Sequence, residues 1–140
     1  MSAIEPRPEQ LAAFAAGPED GPIVMLNLLR YREHARYPEG FAAAPCTGRE
    51  AYGRYSEAVL PLLAAVGGRP VWIGLVRDAL IAPVGEAWDD AILVQYPSRR
   101  AFLEMVAKPA YQAAMPHRSA ALADSRLIAT SGTFLPEPQP

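Results

Sequence analysis

Apolar positions along this chain fall into six blocks, and their spacing switches between the period of a strand and that of a helix. Val24–Leu29 is a short, almost wholly apolar run, as expected of a strand buried on both sides. In Arg49–Val66 the residues Tyr52, Tyr55, Val59, Leu62, Leu63 and Val66 recur three and four apart, one stripe of a helix. Pro61 is expected to kink it by removing a backbone bond, and Gly67-Gly68 to end it in a left-handed cap. Val71–Val76 reads as a second strand, with an apolar continuation through Leu80 to Ala82, and Ala91–Tyr96 as a third. Arg99–Leu122 is helical, opened by Ser98 as N-cap and interrupted at Lys108-Pro109, and Arg126–Thr130 closes the set. The order strand, helix, strand, strand, helix, strand predicts an α+β fold. Its plan is ferredoxin-like, with a four-stranded antiparallel sheet and both helices on one face.

Such a sheet has a second face, and here that face is too apolar for water. The two-sided apolarity of Val24–Leu29 and Ala91–Tyr96 predicts a homodimer, two sheets pairing as a dimeric α+β barrel with roughly 1,200–2,000 Å² buried in total. Alternation on the first strand assigns Val24, Leu26 and Leu28 to the intrachain core. Met25, Asn27 and Leu29 then face the other side, so that Asn27 projects into a cavity away from the helices. Residues 1–22 read as a lead-in with a short helix between Pro8 and Gly17-Pro18, pinned to the body by Leu11 and Phe14. Residues 23–131 form the domain, and the proline-rich tail 132–140 is expected to lack regular structure.

Charge removes some partners from consideration. The formal charge is −2 and no Lys/Arg stripe exists, so nucleic acid is not an expected partner. No apolar run approaches the roughly 20 residues that span a bilayer, so no membrane is expected; the polar N-terminus lacks a signal-peptide core, and cytoplasm is the expected location. Cys46 is the single cysteine and reads as a loop thiol. Neither a metal nor a cofactor is expected. The two histidines have no third ligand at metal spacing, and phosphate-cradling and dinucleotide motifs are absent.

What remains as candidate chemistry is an amide, two histidines and several aromatic rings. Asn27 lies inside an apolar strand, where an amide is costly unless bonded. Either it serves the neighbouring strands or it holds a polar atom of a substrate. Gln95 stands in a similar setting, and on a shared face the two would mark one polar spot. Residues 30–47 are too long and aromatic for a plain connection. They are expected to form a lid over the cavity mouth, bringing Tyr31, His34 or Tyr37 near Asn27. His34 and His117 are the side chains suited to proton transfer near neutral pH, and only one of His117 and Arg118 can face inward from a helix. Tyr52 and Tyr55 share a helical face, as core rings or with hydroxyls at a polar site. Trp72 precedes Gly74 on one strand face, a bulky ring beside vacated space. Asp89-Asp90 reads as an exposed strand end.

Four stretches carry a family resemblance: Val24-Met25-Leu26-Asn27-Leu28-Leu29; Tyr52-Gly53-Arg54-Tyr55 running to Gly67-Gly68-Arg69; Val94-Gln95-Tyr96-Pro97-Ser98-Arg99; and Pro109-Ala110-Tyr111-Gln112 with Asp124-Ser125-Arg126-Leu127. Together they resemble the family called domain of unknown function 1330, of the dimeric α+β barrel superfamily, over residues 22–131. The resemblance implies a ferredoxin-like protomer that packs sheet to sheet with a partner. The superfamily includes cofactor-free monooxygenases, haem-degrading enzymes and isomerases, some with a cavity-facing Asn on the first strand. Two readings of function follow. One is a cofactor-independent enzyme, monooxygenase- or isomerase-like, acting on a small organic molecule, with Asn27, His34 and Tyr55 as its catalytic residues. Tyr31, Tyr37, Trp72, Gln95, His117 and Arg118 are then its substrate contacts. The other is a non-catalytic ligand-binding or stress-associated dimer.

Overall fold

The computed structural model describes residues 2–133. A short helix α1 (Pro8–Ala15) leads into strand β1 (Ile23–Tyr31), helix α2 (Gly48–Ala65), strands β2 (Arg69–Leu75) and β3 (Asp90–Tyr96), helices α3 (Arg99–Ala107) and α4 (Pro109–Ala121), and strand β4 (Leu122–Thr130). The strands form one four-stranded sheet in the order β2-β3-β1-β4, every neighbouring pair antiparallel. The α+β, ferredoxin-like plan read from the sequence is therefore the observed one. Of the expected tail, residues 134–140 lie outside the described residues.

Local chemistry explains the element ends. Thr47 caps α2 by accepting from the Glu50 N–H, and Glu50 returns the bond to the Thr47 N–H. At the other end Gly67 takes φ +82°, and the Gly68 N–H reaches back to the Leu63 carbonyl at 2.9 Å. The helix runs on through Pro61 without a break. Between α3 and α4, Pro109 holds Lys108 in extended backbone, which separates one predicted helix into two. Strand β4 starts at Leu122, four residues earlier than its apolar pattern suggests, because Leu122 pairs with Tyr31 and Asp124 with Arg30 around a register shift.

Burial along β1 alternates in the sense opposite to the sequence expectation. Ile23, Met25, Asn27 and Leu29 are buried beneath the helices, whereas Val24, Leu26 and Leu28 are half-buried on the open face. Both faces of β1 are apolar, so alternation alone could not orient it. The inward position of Asn27 is stabilised by its amide donating to the carbonyls of Met25 at 3.4 Å and Ile92 at 3.3 Å. The main core joins Ile23 and Met25 to Val59 and Leu63 of α2, and to Phe102, Met105 and Tyr111 of α3 and α4. A second cluster, with Leu29, Ala51, Tyr52, Ala121 and Leu122, closes the other end.

The open face is lined across the sheet by Trp72, Leu93, Leu26 and Ile128, which are register partners. Trp72 is 61% and Ile128 49% exposed. The Trp72 ring lies over Gly74, where a Cβ would stand 2.7 Å from its indole nitrogen. The segment after β2 exposes Leu80, Ile81 and Val84 almost completely.

Candidate functional site

A cavity of about 280 Å³ lies between the sheet and the helices of the single protomer. The sheet supplies Asn27, its register partner Ile92 and, two residues along β3, Val94, so alternate residues of one sheet face form the floor. Helix α2 supplies Tyr52, Tyr55 and Val59, whose three- and four-residue spacing puts them on one side. Met105 of α3 and Tyr111 and Arg118 of α4 complete the roof. Pro6 and Leu11 wall one end, which makes the N-terminal lead-in part of the site. That segment is tied down by the Ala3 N–H donating to Asp124 at 2.8 Å, the Ser125 hydroxyl donating to the Ala3 carbonyl, and Phe14 packing edge-on to Phe102. An adjoining cavity of about 340 Å³ lies under the same segment and shares Pro6, Leu11 and Arg118.

The walls are mainly apolar, and their polar groups are few. The Asn27 amide hydrogens go to backbone carbonyls, which leaves Oδ1 as its remaining acceptor. The Tyr55 and Tyr111 hydroxyls bond to each other at 2.8 Å. Burial, reinforced by the neighbouring Tyr111 and Tyr52, holds the Tyr55 phenol well above its ordinary 10.0. Burial raises Tyr52 as well, with the Arg118 guanidinium pulling against it. The Tyr52 and Tyr55 phenols thus stay protonated at neutral pH and offer hydrogen bonds.

The structure brings Asn27, Tyr55 and Arg118 together and separates the other expected site residues from them. The segment 30–47 is not a lid over this cavity, for none of its residues lines it. It folds across the outer side of α2 and α4, held by Arg32 and Arg36 N–H groups on the Ala121 and Ala120 carbonyls. There the Tyr37 hydroxyl meets His117 Nδ1 at 2.6 Å, Phe41 stacks on Tyr37, and Arg54 donates to the Tyr37 hydroxyl. Burial first, then Arg54, lowers the His117 pKa below 6.5. Of the adjacent pair His117 and Arg118, it is Arg118 that faces inward. His34 is exposed beside Glu33 and lines neither cavity. Tyr31 sits beside the cavity end without lining it, its hydroxyl donating to Asp90 at 2.6 Å and its ring under Arg49. Trp72 and Gln95 lie on the opposite sheet face from Asn27, so the two amides do not share a polar spot.

Two residues escaped the sequence reading. Tyr111 completes the hydroxyl pair, and its spacing with Ala114 and Arg118 was the available signal, since i, i+3 and i+7 share a helical face. Asp90 is not an exposed strand end. It is 7% exposed and accepts from Tyr31 and Arg49, a partnership that only folding creates. Among the described residues no cluster of His, Cys, Asp and Glu suits a metal ion. No helix of the described residues is long and apolar enough to cross a membrane.

Fold and cavity together define a ferredoxin-like α+β protein with a pocket between sheet and helices. Residues 41–133 match the family described as a domain of unknown function (DUF1330), and the chain belongs to that family. A crystal structure of a protein of unknown function from Rhodopseudomonas palustris is similar over 96% of this chain and 100% of its own, at 41% identity and a TM-score of 0.89. A dimeric protein of unknown function with a ferredoxin-like fold, from Bacteroides fragilis, covers 82% of this chain and 100% of its own at 16% identity and a TM-score of 0.52. A hydroxynitrile lyase from Passiflora edulis covers 86% and 100% at 10% identity and a TM-score of 0.52, a likeness of fold. No curated protein matches this chain in sequence.

Proposed function

We propose that this protein binds a small, largely apolar organic molecule in the cavity between its sheet and its helices. The observation that carries the reading is the cavity itself, about 280 Å³ of mainly apolar wall with Asn27 and the Tyr55–Tyr111 pair as orienting groups. Asn27 Oδ1 accepts from the ligand, and a tyrosine hydroxyl donates to it. Binding is favoured over acid–base catalysis because both histidines stand outside the cavity and the Tyr52 and Tyr55 phenols inside it are held neutral by burial. The test is native mass spectrometry of the purified protein, followed by titration with whatever molecule it retains. Asn27→Leu keeps the branched shape and the heavy-atom count and removes Oδ1, so it is expected to fold and bind about tenfold more weakly, the weight of one buried hydrogen bond. A protein that retains nothing, and binds no member of a panel of small aromatic and aliphatic molecules, would refute the reading.

The protein acts as a homodimer in this proposal, with a second copy covering the open sheet face. The row Trp72–Leu93–Leu26–Ile128 supports it, since an apolar row of that size is seldom left to water. The dimeric Bacteroides protein of the same fold adds support. Sedimentation at micromolar concentration should give a dimer for the native chain and a monomer for Leu26→Lys. A native monomer would end the idea.

A further inference from the structure

Arg118 is a cation enclosed in the fold without a counter-charge. It is 6% exposed and lines the cavity from the inner face of α4. Its Nη1 donates to the Ile4 carbonyl at 2.6 Å, and the Tyr52 phenol lies beside it. A guanidinium carries five N–H donors and does not lose its charge in a protein, so these neutral neighbours leave both donors and charge unanswered. None of the ion pairs among the described residues includes Arg118. The nearby carboxylates have other partners: Asp90 binds Arg49 and Tyr31, Asp124 binds Arg126 and the Ala3 N–H, and Glu5 accepts from Ser119. Burying a charge is unfavourable unless it is paired, and an anion bound in the cavity supplies the missing pair.

We propose that the ligand of this cavity is an amphiphilic monocarboxylate, its carboxylate held by Arg118, its apolar body along Val59, Ile92, Val94 and Met105, and a hydroxyl or N–H on that body donating to Asn27 Oδ1. This rests on the reading of the cavity as a small-molecule site and adds the class of molecule. The planar fork of a guanidinium matches a carboxylate through two parallel hydrogen bonds. Arg118 is the single cation among the described residues lining this cavity, which suits one negative charge. A phosphate monoester, close to doubly charged at neutral pH, would bring more charge than one guanidinium answers. Tyr52 stands where its neutral hydroxyl donates to the same carboxylate.

Octanoate and 1-octanol, of equal chain length, separate the charge from the apolar body. Titration calorimetry at pH 7 on the full chain should show octanoate binding roughly tenfold or more tightly than octanol, as a charge-assisted bond requires. Arg118→Met should abolish the preference for octanoate over octanol. Octyl phosphate should bind more weakly than octanoate. Equal affinity of the native protein for octanoate and octanol overturns the carboxylate proposal and leaves the cavity reading standing. So does a preference that survives in Arg118→Met, or one for octyl phosphate. Failure of all three probes to bind counts against both. The native-protein comparison does not depend on how the variant folds.

Discussion

Removing the hydroxyls of Tyr55 and Tyr111, singly and together, tests whether the polar pair in the cavity is a real bond. The oxygens stand 2.8 Å apart, the ordinary distance for two neutral hydroxyls. Tyr55→Phe deletes one partner and leaves the Tyr111 hydroxyl facing a cavity that can admit water. The cost should therefore be about 1 kcal/mol, below the upper range of roughly 3 kcal/mol for an orphaned polar group in a dry core. Tyr111→Phe should cost a similar amount, and the double variant little more than either. The coupling energy is then about 1 kcal/mol, as for residues in direct contact. For 140 residues, an unfolding entropy of about 2.1 cal/mol/K each gives roughly 0.3 kcal/mol/K, so each single variant should lower Tm by roughly 3 °C. Urea unfolding of the four proteins, with unchanged m-values, measures the cycle. If the two single losses simply add, the hydroxyls are not bonded, and the reading of this pair as a ligand-orienting unit goes with them.

Three further outcomes follow from the geometry. Gly48→Ala should destabilise by about 3 kcal/mol or prevent folding, because a Cβ there would overlap the Arg32 carbonyl oxygen and stand 2.6 Å from that of Ala121; a denaturation midpoint within error of native would contradict the packing. Tyr31, Tyr52, Tyr55 and Tyr96 all have phenols raised above 10.0, mainly by burial. Their neutral forms favour the fold, so stability is complete below pH 10 and falls as pH rises beyond it, more steeply than in Tyr96→Phe; parallel alkaline titrations of the two proteins check this. His117 is lowered by burial and by Arg54, so its contribution is present above pH 6.5 and is lost as pH falls below it. Hydrogen exchange at Arg36, whose N–H bonds the Ala120 carbonyl at 2.9 Å, should quicken relative to core amides on that descent, and an unchanged ratio would dissociate His117 from the segment it touches.

Local periodicity determined the element order of this protein, and with it the fold. Two periods, the Gly67-Gly68 stop, the Ser98 cap and the Lys108-Pro109 break act over a few residues each, so they can be read one segment at a time. Tyr52, Tyr55 and Val59 were legible as one face for the same reason. Which face of the sheet meets the helices was not. Val24–Leu29 is apolar on both sides, and Asn27, the one polar position, argued for the wrong one. Carbonyls of Met25 and Ile92 satisfy its amide inside the protomer, and the second of these comes from a strand 65 positions away. The role of segment 30–47 was likewise settled by distant partners, Ala120, Ala121 and His117, which draw it over the outer helices and leave the cavity end to Pro6 and Leu11. Asp90 and Arg118 make the contrast sharpest. Each is an ordinary charge in the sequence, and each is buried only because chain segments remote from it close around it, one with a counter-ion and one without. Sequence sets what each segment is; long-range packing decides which groups are taken out of water together, and chemistry depends on that second choice.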